Sequence, residues 1–260
     1  MNSLIYLIIG LIALFIVVNS YPNNLDINIE PFGALNNGIE LVISRYNEDI
    51  DWMYTYPFNK FKITCYNKGP ELEKTNNKNI NIIQIPNVGR CDHTYLYHIT
   101  QCYDKLSDIT IFLPASCLDE RKKYKTNFVI NKTLETKNTV VLGEYYNDIL
   151  TDIFDFNLTE YKCQNPDNIK LNPESELQLC PIRPFGYWYL HNFGNVQTNI
   201  LSYYGIFSIH KSNILGHTKD YYLNLLSYLD THSNPEVGHY FERAWAAVFY
   251  PIKDECFYYE

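Results

Sequence analysis

Three side chains in the last apolar stretch of the chain have types and spacing that could support acid–base chemistry. Asn234-Pro235 is a typical helix start, because Asn is a favoured cap and Pro is tolerated at the first helical position. In a helix from there to about Pro251, the side chains of Glu236, His239 and Arg243 share one side. A carboxylate beside a histidine and an arginine can act as a general base and stabilise a leaving group. An ordinary amphipathic helix with paired surface charges is the alternative.

A glycine turn at residues 86–95 is the second candidate site. Gly89 allows a close approach of the backbone, and Arg90 opens a predicted helix over residues 90–106. The N-terminus of a helix has unpaired N–H groups and a partial positive charge, so an arginine there suits a diphosphate. A glycine turn with a solvated arginine is the alternative.

The same helix carries a cysteine and histidine pattern. Cys91, His98 and Cys102 fall on one face, and zinc binds such ligands. Tyr95 and Ile99 lie on that face too, which favours a core-facing stripe. We therefore predict no metal site from this pattern.

Polar residues also follow the first predicted strand, in the turn 44–49. Ligands of open α/β sheets bind outside the carboxyl ends of the strands. Side chains of this turn, which include Arg45, Asn47 and Glu48, can therefore hold a base or a ribose. A simple polar strand-to-helix turn is the alternative.

Apolar strands alternate with helical or turn segments in the stretch that positions these residues. The predicted strands are Ile39–Ser44, Phe61–Tyr66, Asn81–Ile85, Asp108–Leu113 and Gly205–Ile209, with a further helix over 218–230. They lack a clean polar–apolar alternation, so we expect both faces of the sheet to be covered. This order predicts an α/β fold with a mainly parallel central sheet flanked by helices.

A weaker, polar pattern occupies residues 117–200 and contains a short predicted strand at 139–142. Long connections within compact domains are usually functional or disordered. We therefore predict an insertion that builds a binding rim, with Tyr187, Trp188 and Tyr189 as its aromatic members.

The composition suits a single domain at 38–260. Hydrophobic residues make up 46% of the chain and charged residues 19%, so a sizeable core can form. The formal net charge is −8 and the chain has no long Lys/Arg run, which argues against nucleic acid as a main partner.

An apolar segment, Leu4–Val18, precedes this domain. Its 15 residues are fewer than the about 20 that span a membrane, and they match the about 7–15 of a signal-peptide core. A cleaved signal peptide and an uncleaved signal anchor at 1–20 both stay open, as does a buried helix. In the first two cases residues 21–37 form a linker, and the domain enters the secretory lumen or leaves the cell.

The cysteines and two glycosylation triplets agree with that compartment. Seven cysteines are present, and Cys163 with Cys180 is the expected pair, with buried free thiols as the alternative. The triplets begin at Asn131 and Asn157.

Four groups of segments carry a family resemblance. They are Leu41–Asp49 with Trp52; Tyr66–Gly69; Pro86–Arg90 with His93–Leu96 and His98-Ile99; and Gly205–Ser208 with Glu242–Trp245 and Phe249. Together they resemble domain-of-unknown-function family 3431, which is seen in fungi and large DNA viruses. The resemblance covers about 39–115 and 185–250, without the insertion.

That family is in turn similar to GT-A-type glycosyltransferases. The Asn-x-Gly-Arg turn is similar to one in rhamnan-synthesis-type transferases. The resemblance implies a Rossmann-like, nucleotide-sugar-binding sheet with an acceptor-side insertion. A short N-terminal membrane segment before such a domain is the usual layout of Golgi transferases. The donor-binding residues that it implies are Arg45, Asn47, Glu48, Asn87, Gly89, Arg90 and Asp92.

The catalytic residues that the resemblance implies lie on the last helix. Glu236 or Glu242 would deprotonate an acceptor hydroxyl, and Arg243 would offset charge on the departing diphosphate. His239 lies between them in sequence.

The GT-A type commonly carries an Asp-x-Asp metal motif after the fourth strand, and this chain departs from it. The strand ends in Phe112–Ser116, and Asp119-Glu120 follows in a different pattern. We therefore predict no required cofactor, with Mn²⁺ or Mg²⁺ as the alternative. Either basic residues replace the metal, namely Arg90 and Arg243 with Arg121 or Lys122, or the site no longer catalyses.

The sequence thus predicts a luminal or secreted glycosyltransferase-like protein. It would use a nucleotide sugar and a glycan or protein acceptor. A non-catalytic carbohydrate- or nucleotide-sugar-binding protein on the same scaffold is the first alternative, with the aromatic rim stacking on sugars. A secreted structural or host-interaction protein is the second.

Overall fold

The computed structural model describes residues 38–72, 75–161 and 176–260. Its central sheet has the strand order β3-β2-β1-β4-β7. The strands are β1 (Ile39–Arg45), β2 (Lys62–Asn67), β3 (Ile80–Gln84), β4 (Ile109–Pro114) and β7 (Phe207–His210). The first four are parallel and β7 is antiparallel to β4. The predicted mainly parallel sheet is therefore confirmed.

The central strand, β1, is buried along its whole length. Val42 pairs with Thr64 of β2 on one side and with Phe112 of β4 on the other. Side chains alternate between the faces of a strand, so Val42 belongs to one apolar core and Leu41 to the other. Burial on both faces explains why the strand sequences show no polar–apolar alternation.

Helices cover both faces of this sheet. On the Val42 face lie α1 (Arg90–Cys102), α4 (Phe185–Phe193), α6 (Lys219–Leu226) and α7 (Glu236–Val248). On the Leu41 face lie α2 (Glu120–Thr136) and two short 3₁₀ turns, Asp51–Tyr54 and Phe58–Lys60. The remaining short helices are α3 (Ile149–Asp152) and α5 (Lys211–Ile214), with 3₁₀ turns at Tyr103–Lys105, Tyr203–Gly205 and Asp254–Cys256.

A second, small sheet lies beside the first. It consists of β6 (Ile200–Leu201), β5 (Val141–Tyr145) and β8 (Phe257–Tyr259), in that order. A Cβ at Gly143 would lie 2.2 Å from the carbonyl oxygen of Leu201, so glycine permits the close approach of β5 and β6.

Residues 117–200 are more regular than predicted, because they contain the 17-residue helix α2. Its inner face carries Lys125, Thr126 and Thr133 beside Val129 and Ile130, all buried. Polar residues at inner positions weaken the apolar periodicity that marks a helix. The predicted strand at 139–142 is β5, displaced toward Tyr145.

Several predicted boundaries move by a few residues. The residues after the turn that follows β1 form a 3₁₀ turn, Asp51–Tyr54. Helix α1 ends at Cys102 rather than at 106, and α6 ends at Leu226 rather than at 230. Pro235 is the cap of α7 rather than its first helical residue.

Three predictions concern residues outside the described ones: the leader at 1–20, the linker at 21–37, and Cys163 of the expected disulfide. Within the part of the chain that is described, none of the helices has both the length and the apolar character needed to cross a membrane. The six described cysteines form no disulfide with one another.

Candidate functional site

The carboxyl ends of β1, β2 and β4 meet at one edge of the sheet. The last residues of β1 accept hydrogen bonds from both neighbouring strands' extensions: Lys68 N, after β2, donates to Arg45 O, and Ala115 N, after β4, donates to Ser44 O. The strand that follows β1 in sequence lies on one side of it and β4 lies on the other. This is a topological switch point, where open α/β sheets bind ligands.

Arg45 and Glu48 hold the turn after β1 in shape. The Arg45 guanidinium is buried and donates to Glu48 O at 2.9 Å and to Asn67 Oδ1 at 2.7 Å. The Glu48 carboxylate accepts from the backbone N–H groups of Tyr46 and Asn47. Two of the predicted nucleotide-binding side chains therefore shape the turn. Asn47 is half-buried, and within the described residues its side-chain amide has no hydrogen-bond partner.

The turn after β2 packs directly against the turn after β1. A Cβ at Gly69 would lie 1.5 Å from the carbonyl oxygen of Tyr46, so only glycine fits there. The Asn67 amide nitrogen donates to Pro70 O and to Gln84 Oε1, both at 2.7 Å. These contacts fix the position of Lys68 between them.

Lys68 links the edge of the sheet to the start of α1. Its buried ammonium donates to the carbonyl oxygens of Val88 and Arg90. The pKa of Lys68 is lowered to about 7, mainly by burial; Cys91 and Asp92 oppose this shift, and Arg90 adds to it. The ammonium thereby positions the N-terminal turn of the helix.

The first residues of α1 have an unusual backbone. Gly89 has φ +59°, and a Cβ there would lie 2.4 Å from the carbonyl oxygen of Leu229. Arg90 follows with φ +54°, in the left-handed region that few non-glycine residues occupy. The predicted glycine turn before the helix is present, and Asn87 lies half-buried within it.

His239 of α7 lies between two arginines. Arg90 Nη1 lies 3.4 Å from His239 Nε2, and Arg243 Nη1 donates to His239 O at 2.9 Å. Burial, with Arg90 and Arg243 adding to it, lowers the pKa of His239 to about 3. The ring is therefore neutral near pH 7, and Nε2 accepts from Arg90, since arginine only donates. His239 holds Arg90 rather than carrying a proton.

Aromatic rings lie over both guanidiniums. The Tyr161 ring centroid is 4.9 Å from Arg90 Cζ, and the Phe156 ring centroid is 3.7 Å from Arg243 Cζ. Such contacts stabilise a guanidinium without neutralising its charge.

Positive charge at this site is not matched by ion pairs. Within the described residues, neither Lys68 nor Arg90 has a carboxylate oxygen within 4.0 Å. The only such contact of Arg243 there is Glu242 Oε2, at 3.8 Å. Buried charges are usually paired. Two nearly unpaired guanidiniums and the partly protonated Lys68, beside a helix N-terminus, therefore suit an anionic ligand.

Two carboxylates accompany these cations. Asp92 is 2% exposed and accepts from Trp245 Nε1 at 3.2 Å. Burial, followed by the charge of Glu242, raises the pKa of Asp92 to about 7. The Glu242 side chain is 25% exposed, and its Oε1 accepts from Tyr204 N at 2.8 Å. Glu242 thus reaches solvent and Asp92 does not.

Glu236 is not grouped with His239 and Arg243 as the helical spacing predicted. Its carboxylate is fully buried and pairs with Arg183 Nε at 2.9 Å. It also accepts from the backbone of Leu158 and Cys180 and from the Tyr240 hydroxyl. With its lone pairs occupied, Glu236 anchors two segments that precede α4, at Leu158 and at Cys180–Arg183. This leaves Glu242 as the available carboxylate.

The predicted aromatic rim is reduced to one residue. Tyr187 is 57% exposed, whereas Trp188 and Tyr189 are fully buried. Trp188 packs on Phe241 with ring centroids 5.0 Å apart, and the Tyr189 hydroxyl donates to Val196 O. A short helix packed on the core exposes one face only, and Tyr187 lies on it.

Backbone strain is concentrated around the site. Among the described residues, the non-glycine residues with positive φ are Arg90, Lys137 and Tyr204. Lys137 is an ordinary helix C-cap. Arg90 and Tyr204 each cost about 1–3 kcal/mol, and such strain is found most often at functional sites.

The residues after β4 do not fit a divalent cation. Lys122 Nζ lies 2.5 Å from Ser116 Oγ, which follows the strand. Asp119 and Glu120 are exposed at the start of α2, and Arg121 is exposed beside them. Elsewhere in the described ranges, no group of three His, Cys, Asp or Glu residues could hold a metal ion.

A small pocket of about 190 Å³ is lined by residues 178–181 and by part of the segment 227–231, together with Pro235 and Val237. It is smaller than the about 300 Å³ of typical ligand pockets, and its lining contains no charged side chain. The charged edge is therefore the better candidate site.

The sequence reasoning missed Lys68 and Tyr204. Lys68 directly follows a parallel strand, a position that favours ligand contact, and this signal was available. Tyr204 gave no signal, because its left-handed backbone is visible only in the fold.

The chain matches the family described as "Protein of unknown function (DUF3431)" over residues 41–259. It belongs to this family. The match also spans residues 116–184, which the resemblance in the sequence did not cover. No curated protein matches the chain.

Proposed function

We propose that this DUF3431 protein is a glycosyltransferase-like enzyme that moves a sugar from a nucleotide sugar to a hydroxyl acceptor. One observation carries the proposal: Lys68, Arg90 and Arg243 converge, almost without carboxylate partners, at the carboxyl edge of a parallel sheet. A nucleoside diphosphate supplies the missing negative charge. The similarity to the GT-A type is part of the proposal.

The donor would bind across the switch point. The half-buried Asn47 lies in the turn that faces the nucleoside, and Arg45 and Glu48 keep that turn in shape. The diphosphate would meet the N-terminus of α1 and the Arg90 guanidinium. Asn87, Gly89 and Asp92 belong to the same turn and helix, and they position this end of the site.

The reaction would be a single displacement with Glu242 as the base. The acceptor oxygen forms a bond to the anomeric carbon while the bond from that carbon to the diphosphate breaks. The acceptor proton goes to Glu242, and the diphosphate leaves with the bonding electrons. Arg90 and Arg243 offset its charge.

The proposal places the domain in the secretory lumen or outside the cell. The apolar segment Leu4–Val18 supports this location and a membrane attachment. A net charge of −8 supports a sugar rather than a nucleic acid as partner.

Nucleotide release tests the reaction. The purified full-length chain is incubated with UDP-, GDP-, CMP- and dTDP-sugars and a mixture of oligosaccharides, with and without Mn²⁺. We expect release with one nucleotide class, and a loss of at least about 100-fold, or ~2.7 kcal/mol, in Glu242→Gln. The exposed Glu144→Gln is the matched control. Full release by Glu242→Gln would remove Glu242 as the base.

A non-catalytic nucleotide-sugar-binding protein is the second candidate. Lys122 supports it: its ammonium lies 2.5 Å from Ser116 Oγ, just after β4, where the GT-A type commonly carries its metal motif. Tight binding of one nucleotide sugar by the wild-type chain, without release in any acceptor mixture, would select this candidate.

A further inference from the structure

The turn Tyr203–Gly205 stands beside the proposed base and is anchored on two helices. Glu242 of α7 accepts from Tyr204 N at 2.8 Å. On the other side, the Tyr95 hydroxyl of α1 donates to Gly205 O at 2.8 Å. A Cβ at Gly205 would lie 3.2 Å from Cys91 Sγ. The turn is therefore held against both helices that build the site.

Tyr204 projects from this rigid turn into solvent. Its backbone has φ +72°, and its side chain is 42% exposed. Within the described residues its hydroxyl has no hydrogen-bond partner, and its only ring contact is with Tyr203 at 6.4 Å. Glycine or asparagine would fit this backbone without strain. A large aromatic ring is thus kept where it contributes little to the core.

Two further exposed tyrosines lie on the small sheet. Tyr145 and Tyr259, at the ends of β5 and β8, are 60% and 45% exposed, and their rings meet edge to face at 5.4 Å. Strand β6 connects the two places. Its Ile200 pairs with Tyr145 of β5, and the Tyr259 hydroxyl donates to Asn199 Oδ1 at 3.1 Å, just before β6. The turn Tyr203–Gly205, which donates to Glu242, follows directly after β6.

We infer that Tyr204, with Tyr145 and Tyr259, forms a platform for the apolar face of a pyranose ring, so that the acceptor is a glycan. This inference rests on the proposed function and narrows its acceptor. A ring stacked on Tyr204 would bring its hydroxyls beside the Glu242 carboxylate, because Tyr204 N and Glu242 Oε1 are hydrogen-bonded. A tyrosine suits this role, since its flat face is apolar and its edge carries a hydroxyl.

The platform replaces the rim that the sequence predicted at residues 187–189. Tyr187 is the exposed member of that segment, and its ring packs edge to face on Phe154 at 5.2 Å. It lies on α4, whose contacts join it to α3 and α7 through the apolar core. Tyr187 is therefore a matched exposed tyrosine without a contact to the proposed base.

The test separates the ring from the fold. Tyr204→Gly removes the ring and also relieves the positive φ, so its melting temperature should equal or exceed that of the wild type. Tyr204→Trp restores an aromatic face, and Tyr187→Ala is the control. The full-length proteins are tested on an array of oligosaccharides with terminal hexopyranoses and on Ser/Thr-containing peptides. A thermal-shift assay with nucleotide sugars runs in parallel.

We expect the wild type to bind glycans and no peptide. For the best glycan, Tyr204→Gly should weaken binding at least about tenfold, or ~1.4 kcal/mol. Tyr204→Trp should restore most of the binding, and Tyr187→Ala should leave it unchanged. All variants should keep the wild-type shift with nucleotide sugars.

Other results would overturn the inference, and they are distinguishable from failure of the proposed function. Wild-type glycan binding by Tyr204→Gly removes the platform. Nucleotide-sugar binding with peptide but no glycan binding removes the glycan acceptor and keeps the transferase. Binding of neither nucleotide sugars nor glycans by the wild type removes both.

Discussion

Glu236→Gln should destabilise the protein strongly, although Glu236 was one of two candidate bases. The carboxylate is fully buried and receives four donors, among them Arg183 Nε at 2.9 Å and Cys180 N at 2.9 Å. A glutamine keeps one acceptor oxygen but places an NH₂ group against groups that also donate. Donors would then face donors inside the core.

The size of the loss follows from the ion pair. Removing one partner of a buried pair costs about 3–5 kcal/mol. The Arg183 side chain is 30% exposed, so water can still solvate the guanidinium, and we expect the lower end, about 3 kcal/mol. For a domain of this size each kcal/mol shifts the melting temperature by about 2–4 °C, so Tm should fall by about 6–12 °C.

Urea denaturation and thermal melting measure this loss, with Glu242→Gln as the control. Glu242 is a quarter exposed and accepts one backbone N–H, which a glutamine oxygen can also accept. We expect it to lose about 1 kcal/mol or less. Equal stability of the two variants would refute the assignment of Glu236 as a structural anchor.

Three further substitutions test the packing and the charges of the site. Gly69→Ala should prevent native packing, because its Cβ would lie 1.5 Å from Tyr46 O. The control is Gly194→Ala, at φ +63° with nothing within 4 Å, which should lose only about 1–2 kcal/mol of unfolding free energy in a urea titration. Similar losses in the two variants would contradict the close approach at Gly69. The wild type should lose stability as the pH rises from about 4 to 7, because the raised pKa of Asp92 makes the folded protein hold a proton that the unfolded chain releases. Asp92→Asn should make this loss smaller. Plots of melting temperature against pH that run parallel for wild type and variant would count against it. The wild type should lose stability as the pH falls from 6.5 to 4, because the lowered pKa keeps the folded His239 ring neutral while the unfolded one gains a proton. His239→Gln should lose less stability over the same range in melting experiments. An equal loss in both proteins would show that the ring is not so buried.

The sheet could be predicted from the sequence because its strands are continuous apolar runs that stop at polar turns. The predicted and observed bounds of β1, β2 and β4 differ by no more than one residue at either end. The helix α2 was not predicted, because its inner face carries the polar residues Lys125, Thr126 and Thr133. Those side chains satisfy their polar groups in the fold, as Thr133 does with Ser208 Oγ at 2.7 Å, which no local pattern reveals.

The site could be predicted only in part. Gly89 and Arg90 were recognisable, since a glycine before a helix start is a local signal. Helical spacing grouped Glu236 with His239, but Arg183, far away in sequence, binds Glu236 instead. Lys68 was overlooked because a lysine is seldom buried, and only tertiary contacts hold its ammonium against Val88 O.

A thermal-shift measurement on wild type and Arg90→Gln tests the central claim, the anion site at the start of α1. The full-length chain in mild detergent is melted with UDP-, GDP-, CMP- and dTDP-sugars. At about 100 times its Kd, a ligand of the folded state adds about 2.7 kcal/mol, so we predict a rise of about 5–11 °C with one nucleotide class. In Arg90→Gln, whose amide can still donate to His239 Nε2, the rise should be largely lost at the same concentration. An unchanged rise in Arg90→Gln, or no rise with any nucleotide sugar in a cooperatively melting wild type, would contradict the account.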